Sequence, residues 1–390
     1  MIKRVFLVVL DSLGIGYAQD AEEFGDLGAN TLKSVAASPY FHIPNLRKLG
    51  LLNIDGIHIS SREKNPAGIF GRLSELSKGK DTTAGHWEIC GHITKKPFPV
   101  YPNGFPEDVI AKFTSQTGRG VLCNRPYSGT QVIMDYGEEH LKTGSLIVYT
   151  SADSVFQIAA HEDYIPVEKL YEFCGIARKI LIEPNHVGRV VARPFTGKKG
   201  NFTRTSNRHD FSLEPPGKTL LDVMKEKGFS TIGIGKIYDI FAGRGITEYS
   251  YASGNKEGMM KTMDCLSRNF TGLCFTNLVD FDMLYGHRND VDGYAKALAE
   301  FDRWLQEFCV RMKNTDLLMI TADHGCDPGF LQSTDHTREQ IPLCMYSPAL
   351  SPGNLGSRTG FGDIGATIAD IFQLKHALDG NSFWPLIKRR

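Results

Sequence analysis

The sequence contains no apolar run of the roughly 18 residues that a membrane span requires. It has no excess charge of either sign: 44 basic residues balance 44 acidic ones. The basic face or stripe that marks a nucleic-acid footprint is therefore not expected. CxxC pairs are missing as well. The eight cysteines are scattered at positions 90, 123, 174, 265, 274, 309, 326 and 344. That spacing suits reduced thiols in a cytoplasmic enzyme better than a disulfide framework. Internal repeats and low-complexity segments are also absent. Lys3 and Arg4 precede an apolar run at 5–10, but Asp11 ends it and no small-residue cleavage site follows at once. A buried strand is expected there rather than a signal peptide.

What is present reads as a globular chain of ordinary composition, 41% hydrophobic and 23% charged. Its 390 residues exceed the roughly 250–300 at which a single core stops growing, so two domains are expected. Short apolar, β-branched runs at 5–10, 146–149, 187–192, 231–234, 273–279 and 317–321 predict buried parallel strands. Helical patterns lie between several of them. Tyr294, Leu298, Phe301, Leu305, Phe308 and Met312 follow a 4-3-4-3-4 spacing that places them on one helix face, with Asp290 and Asp292 as candidate caps. A second helix is expected at 220–227, closed by Gly228. Alternating strand and helix predicts an α/β fold with its sheet covered on both sides. Proline clusters at Pro97-Phe98-Pro99, at 102–106 and at Glu214-Pro215-Pro216-Gly217 suit crossings between domains. An inserted domain is therefore expected at 97–214, within a main domain formed by 1–96 and 215–390.

Three of the strand-like runs end in acid. The first ends at Asp11. The second reaches Asp280-Phe281-Asp282, followed by Gly286-His287. The third ends in Asp323-His324-Gly325, followed by Thr334-Asp335-His336. Ligands of α/β sheets bind outside the carboxyl ends of the strands. Oxygen and nitrogen donors delivered there suit Mn²⁺, Zn²⁺ or Mg²⁺. One such aspartate alone is usually a turn or cap residue; the combination points to a metal site. A fourth segment, Gly79-Lys80-Asp81-Thr82-Thr83-Ala84-Gly85-His86-Trp87-Glu88, offers a hydroxyl nucleophile between glycines that let backbone approach a phosphate. The same segment reads equally as a helix start with threonine as its cap, and a helix start also favours phosphate. Trp87 suits either the orientation of this loop or packing between domains. Cys326 suits a thiol beside the ligands better than a ligand.

These motifs carry a resemblance. Asp11-Ser12-Leu13-Gly14-Ile15-Gly16 with the segments 79–88, 277–288, 322–328 and 334–339 resembles the alkaline phosphatase superfamily. Phe24-Gly25-Asp26-Leu27-Gly28, 149–160 and 201–210 narrow the resemblance to the prokaryotic phosphopentomutases, over nearly the whole chain. The resemblance implies an α/β fold: an alkaline-phosphatase-like core with a sheet sandwiched by helices, plus a smaller inserted α+β cap domain. It implies interconversion of α-D-ribose 1-phosphate and ribose 5-phosphate, and of the 2-deoxy pair, through a phosphothreonine and a bisphosphate. By motif position Thr82 carries the phosphate. Asp11, Asp323 and His324 bind one Mn²⁺ together with Thr82, and Asp282, His287 and His336 bind a second. Glucose 1,6-bisphosphate is the implied activator. Asp153, Arg189, Val191, Arg204 and Lys236 match substrate-binding positions.

Arg189, Val191 and Arg193 also alternate along one strand and so share a face. Each arginine reads alternatively as half of a surface ion pair. Pentose phosphates are the expected partners; no nucleic acid, membrane or protein partner is evident. A hydrolase on the same metal core is the competing reading, and the arginine-bearing insertion favours the mutase because a transferring enzyme must keep water from its phosphothreonine. A metal-dependent binding protein would be expected to lack the nucleophile or a ligand, and none is missing.

Overall fold

The computed structural model describes residues 1–151 and 154–388. They form two compact units, one from Met1–Lys96 with the described part of Pro215–Arg390, the other Pro97–Glu214.

The first unit is built on an eight-stranded sheet. Its order is Glu248–Ser250, Ser230–Ile234, Gly272–Leu278, Arg4–Leu10, Asp316–Thr321, Ile341–Tyr346, Ile69–Ser74 and Gly353–Thr359. The first five strands run parallel. Ile341–Tyr346 is antiparallel to both of its neighbours, so the sheet is mixed rather than wholly parallel. Every residue of Arg4–Leu10, Gly272–Leu278 and Asp316–Thr321 is buried. Strands buried on both faces read as continuous apolar runs, and for that reason they are conspicuous in the sequence. Register puts Leu10 opposite Leu278 and Val9 opposite Thr321. Three adjacent parallel strands thus end together, and the acids that follow them emerge at one edge.

The helix expected around 294–312 is found at Val291–Arg311. Of its two candidate caps Asp290 does the capping, accepting from the Gly293 amide. Asp292 instead accepts from the Ser38 hydroxyl. The shorter helix is Leu220–Glu226, and a capping box between Thr219 and Asp222 starts it.

The second unit carries a mixed sheet ordered Val121–Pro126, Leu146–Thr150, Val155–His161, Arg189–Lys198 and Asn201–Arg204, with His209–Ser212 also paired to Arg189–Lys198. Leu146–Thr150 and Arg189–Lys198 each pair parallel on one side and antiparallel on the other. The expectation of parallel strands holds for only one partner of each. Val190 and Ala192 belong to one core cluster with Phe113, Phe156 and Leu170. Phe195 belongs to a second cluster with Tyr149 and Ile133. The odd-numbered positions 189, 191 and 193 accordingly face away from the first cluster.

Candidate metal centre

Asp11 follows the central strand directly, and Ser12 turns the chain sharply with φ 79°. The Ser12 amide donates to Asp323 Oδ1 at 3.1 Å, which ties the ends of two neighbouring strands together. Asp282 lies in a π-helical turn, Phe281–Tyr285, a local form that recurs at functional sites. The next turn, Gly286–Arg288, presents His287.

Six side chains meet here. His324 Nε2 lies 3.4 Å from Asp11 Oδ1 and 3.3 Å from Asp323 Oδ2. Asp282 stands between His287 Nε2 at 3.3 Å and His336 Nε2 at 3.5 Å. The His336 ring tilts over both His324 and His287, with centroids 4.0 and 4.7 Å apart. His287 Nδ1 sits 2.6 Å from the Thr334 carbonyl and His324 Nδ1 is 3.0 Å from the Gly325 carbonyl. A backbone carbonyl only accepts, so each Nδ1 donates and each Nε2 is left for a ligand. Asp282, His287 and His336 offer ligand atoms within 4.8 Å of one another. So do Asp11, Asp282 and His324, where Asp282 occupies the place that the resemblance gives to Asp323. Thr82 Oγ1 lies 3.1 Å from His324 Nε2.

Burial and charge oppose each other throughout this cluster. Burial raises the Asp11 carboxyl, and the neighbouring Asp323 raises it further. Burial also pushes Asp282 upward, but His336 and His287 outweigh it and hold the carboxyl well below its ordinary value. Asp323 is likewise lowered, with burial overcome by His324 and His86. His324 is raised well above an ordinary histidine because Asp323 and Asp11 outweigh its burial. A divalent ion bound here must displace any proton from each ligating imidazole and carboxylate, so its affinity would depend on pH.

The segment expected to offer a hydroxyl nucleophile forms the helix Thr82–Ile89. Its cap is Asp81, whose carboxylate accepts from the Thr83 and Ala84 amides, and Thr82 is the first helical residue. The alternative of a threonine cap is thus corrected: an aspartate carboxylate accepts the amide bonds at this helix start. Gly85 has a role different from phosphate approach. A Cβ there would fall 2.0 Å from the Asp323 carbonyl oxygen, so only glycine lets this helix sit on the Asp323 backbone.

Trp87 is buried and donates from Nε1 to the Ile240 carbonyl at 3.0 Å, inside the first unit. Cys326 is buried, with Sγ 3.9 Å from His287 Nδ1 and 3.6 Å from the Asp335 carbonyl. Lys236 is half-buried at the start of the short helix Ile237–Ile240.

In the second unit Arg189 lies 3.5 Å from Asp210, Val191 is buried, and Arg204 donates to the Gly129 carbonyl at 3.0 Å and to Tyr149 Oη at 3.3 Å. Asp153 lies outside the described residues.

The individual contacts of Glu339 and Arg338 escaped the sequence reading, although both fall inside a quoted motif. Glu339 is wholly buried and accepts from the Gly16 and Thr31 amides and from the Thr31 and Thr337 hydroxyls. A Cβ at Gly14 would fall 2.3 Å from its Oε2, so the glycine-rich turn after Asp11 is moulded on this carboxyl. Burial pushes Glu339 up to about 7, against the pull of those hydrogen bonds. Between pH 4.5 and about 7 the folded carboxyl keeps a proton that the unfolded chain has lost, so its contribution to stability falls as pH rises through that window. Glu339→Gln removes the titration. Denaturant unfolding of both proteins at each pH should show wild type losing about 3 kcal/mol relative to the variant across the window.

Buried carboxylates and imidazoles at the carboxyl edge of an α/β sheet define a metalloenzyme. Residues 3–376 match the metalloenzyme superfamily. A phosphopentomutase from Lachnoclostridium phytofermentans is 55% identical over 384 residues, 98% of each chain. Another from Carboxydothermus hydrogenoformans is 55% identical over 390 residues, 100% of each. Among solved structures, a protein from Pyrococcus horikoshii is similar in fold, with TM-score 0.51 at 14% identity over 97% of this chain and 100% of that one. The chain belongs to the phosphopentomutase family and is an enzyme of the isomerase class. No helix among the described residues is long and apolar enough to cross a membrane.

Proposed function

We propose that this enzyme interconverts α-D-ribose 1-phosphate and D-ribose 5-phosphate, and the 2-deoxyribose pair, through phosphorylated Thr82 and a sugar bisphosphate. One observation carries the reading. Asp11 Oδ1, Asp282 Oδ1 and Asp323 Oδ2 are buried and face only imidazole nitrogens at 3.2–3.5 Å, none in well-formed hydrogen-bond geometry, and the Thr82 hydroxyl stands 3.1 Å from His324 Nε2 in the same cluster. Three carboxylates converging in a buried site repel one another and are costly to desolvate, and a divalent cation among them offsets both. The mixed oxygen and imidazole donors fit Mn²⁺.

Asp11, Asp323 and His324 with Thr82 would hold one ion, and Asp282, His287 and His336 the other. Two bound ions supply Lewis-acid charge that activates a hydroxyl and offsets the phosphoryl oxygens. Thr82 is placed at the first residue of a helix whose N-terminal dipole favours a phosphate. A hydroxyl oxygen of the sugar phosphate attacks the phosphorus on Thr82, the bond to Oγ1 breaks, and a sugar bisphosphate results. After the sugar reorients, Thr82 Oγ1 attacks the other phosphorus and takes that phosphoryl back. Glucose 1,6-bisphosphate primes the cycle by giving one phosphoryl group to Thr82.

Arg189 and Arg204 suit bidentate phosphate contacts. Together with Val191, Asp153 and Lys236 they are assigned to the sugar phosphate. The eight cysteines are free thiols, which suits the reducing cytoplasm. The test supplies Mn²⁺ and catalytic glucose 1,6-bisphosphate and follows ribose 1-phosphate. Ribose 5-phosphate is expected, with no turnover after chelation of the metal. Conversion that survives full chelation would overturn the reading.

A further inference from the structure

His86 lies one turn along the helix from Thr82 and is wholly buried. Its Nδ1 is 2.8 Å from the Thr82 carbonyl oxygen and 3.2 Å from Asp323 Oδ2. Both neighbours are acceptors, so Nδ1 carries a proton and donates to the Thr82 carbonyl, which leaves Nε2 to face the Asn277 amide. Nε2 lies 3.4 Å from the Asn277 amide nitrogen. That same nitrogen donates to Asp11 Oδ2 at 2.9 Å. An NH₂ group has one hydrogen for each. The flipped amide would set carbonyl oxygen against carboxylate, acceptor against acceptor, so the neighbours fix its orientation. Phe275 is two residues earlier on the same strand and shares the Asn277 face. It stacks on the His86 ring at 5.7 Å and 30°, which sets the plane of the imidazole.

Packing alone does not account for this pair. The strand Gly272–Leu278 is buried throughout, and an apolar residue at 277 would fill the same volume. The Asn277 amide oxygen has no hydrogen-bond partner among the described residues, so the amide carries an uncompensated polar atom into the core. What it gains is the connection between His86 and Asp11.

We infer that His86 and Asn277 are positioning residues that lock the nucleophile to the metal-binding carboxylates. A continuous chain runs from the Thr82 carbonyl through His86 and Asn277 to Asp11, with Asp323 beside the His86 ring. It fixes the spacing between the Thr82 backbone and both acids. The inference rests on the metal roles proposed for Asp11 and Asp323. Both side chains are buried, His86 at 0% and Asn277 at 2% exposure. Loss of such outer partners typically costs roughly 10- to 100-fold in metal affinity or activity.

The experiment titrates metal-free protein with Mn²⁺ alone and reads free Mn²⁺ by its electron paramagnetic resonance signal. Thermal melts of the metal-free proteins and separate kcat and KM values accompany it. His86→Phe keeps a stacking ring and removes both nitrogens. Asn277→Leu removes the amide at similar volume. His86→Asn restores a donor near the Nδ1 position.

Mn²⁺ affinity is expected to fall roughly 10- to 100-fold in His86→Phe and Asn277→Leu, with kcat reduced and KM little changed. The metal-free melts should stay close to wild type, and His86→Asn should recover part of the affinity. Should His86→Phe fail to fold, Asn277→Leu decides alone. Wild-type Mn²⁺ affinity and kcat in Asn277→Leu would overturn the inference while leaving the metal reading intact. A wild-type protein that binds no Mn²⁺ would overturn both.

Discussion

Thr82→Ala is expected to lose turnover by roughly 10⁴-fold or more while keeping its metal, because a covalent route through a hydroxyl has no substitute nucleophile. The geometry makes the test clean. Thr82 is the first residue of its helix, and the cap belongs to Asp81, so alanine removes the hydroxyl without removing the helix start. The side chain is only half-buried, so little packing is lost. All six Asp and His side chains of the candidate metal centre remain, and only the Thr82 oxygen is lost. Thr82→Ser keeps a hydroxyl at the same position and should retain most of the activity. Steady-state turnover and bound Mn²⁺ together distinguish loss of the nucleophile from loss of the site. Full activity in Thr82→Ala would remove the phosphothreonine from the account.

The second large effect is expected at Arg338. This arginine is 1% exposed, yet it is fully committed. It donates to Glu75 Oε2 at 2.5 Å, to both Asp20 oxygens at 2.9 and 3.0 Å, and to the Glu75 and Gly79 carbonyls. Its guanidinium also lies over the Phe24 ring at 4.9 Å. Gly79 is three residues before Thr82, so the same side chain anchors the loop that leads to Thr82. Arg338→Ala would leave the Glu75 carboxyl buried without its partner. Burial already raises Glu75 well above an ordinary glutamate, against the pull of Arg338. Breaking a buried pair from one side typically costs roughly 3–5 kcal/mol. A fall in Tm of roughly 4–6 °C is expected, with reduced turnover in the protein that remains folded. Arg338→Lys should recover only part, since an ammonium cannot span five acceptors held in a plane. A melting curve within a degree or two of wild type in Arg338→Ala would contradict this view of the cluster.

The candidate site was largely legible because its acids follow strands buried on both faces. Runs such as 317–321 announce themselves as apolar, and the Asp-His after them is then conspicuous. Ile341–Tyr346 was not legible as a strand. Pro342 argues against an interior position, yet its carbonyl accepts from the Thr321 hydroxyl and the strand pairs antiparallel on both sides. Strand direction in the smaller sheet was hidden for a related reason: a buried run looks alike whether its neighbours are parallel or antiparallel.

The contacts of His86 with Asn277, and of Arg338 with Asp20 and Glu75, join residues 191, 318 and 263 positions apart. Tertiary packing of loops and a helix onto the ends of the sheet brings such residues together, and no local periodicity encodes it. The arginine at 338 reads in sequence as one more charge within a motif, and only its burial shows that it organises the loop before Thr82.

The most direct test of the whole account follows the phosphoryl group itself. Enzyme loaded with Mn²⁺ is primed with labelled glucose 1,6-bisphosphate, freed of excess label, and given ribose 5-phosphate. The account predicts label on Thr82 that passes to the pentose phosphate pool, with little released as free phosphate over one turnover. Label that appears chiefly as free phosphate, or that never resides on Thr82, would contradict it.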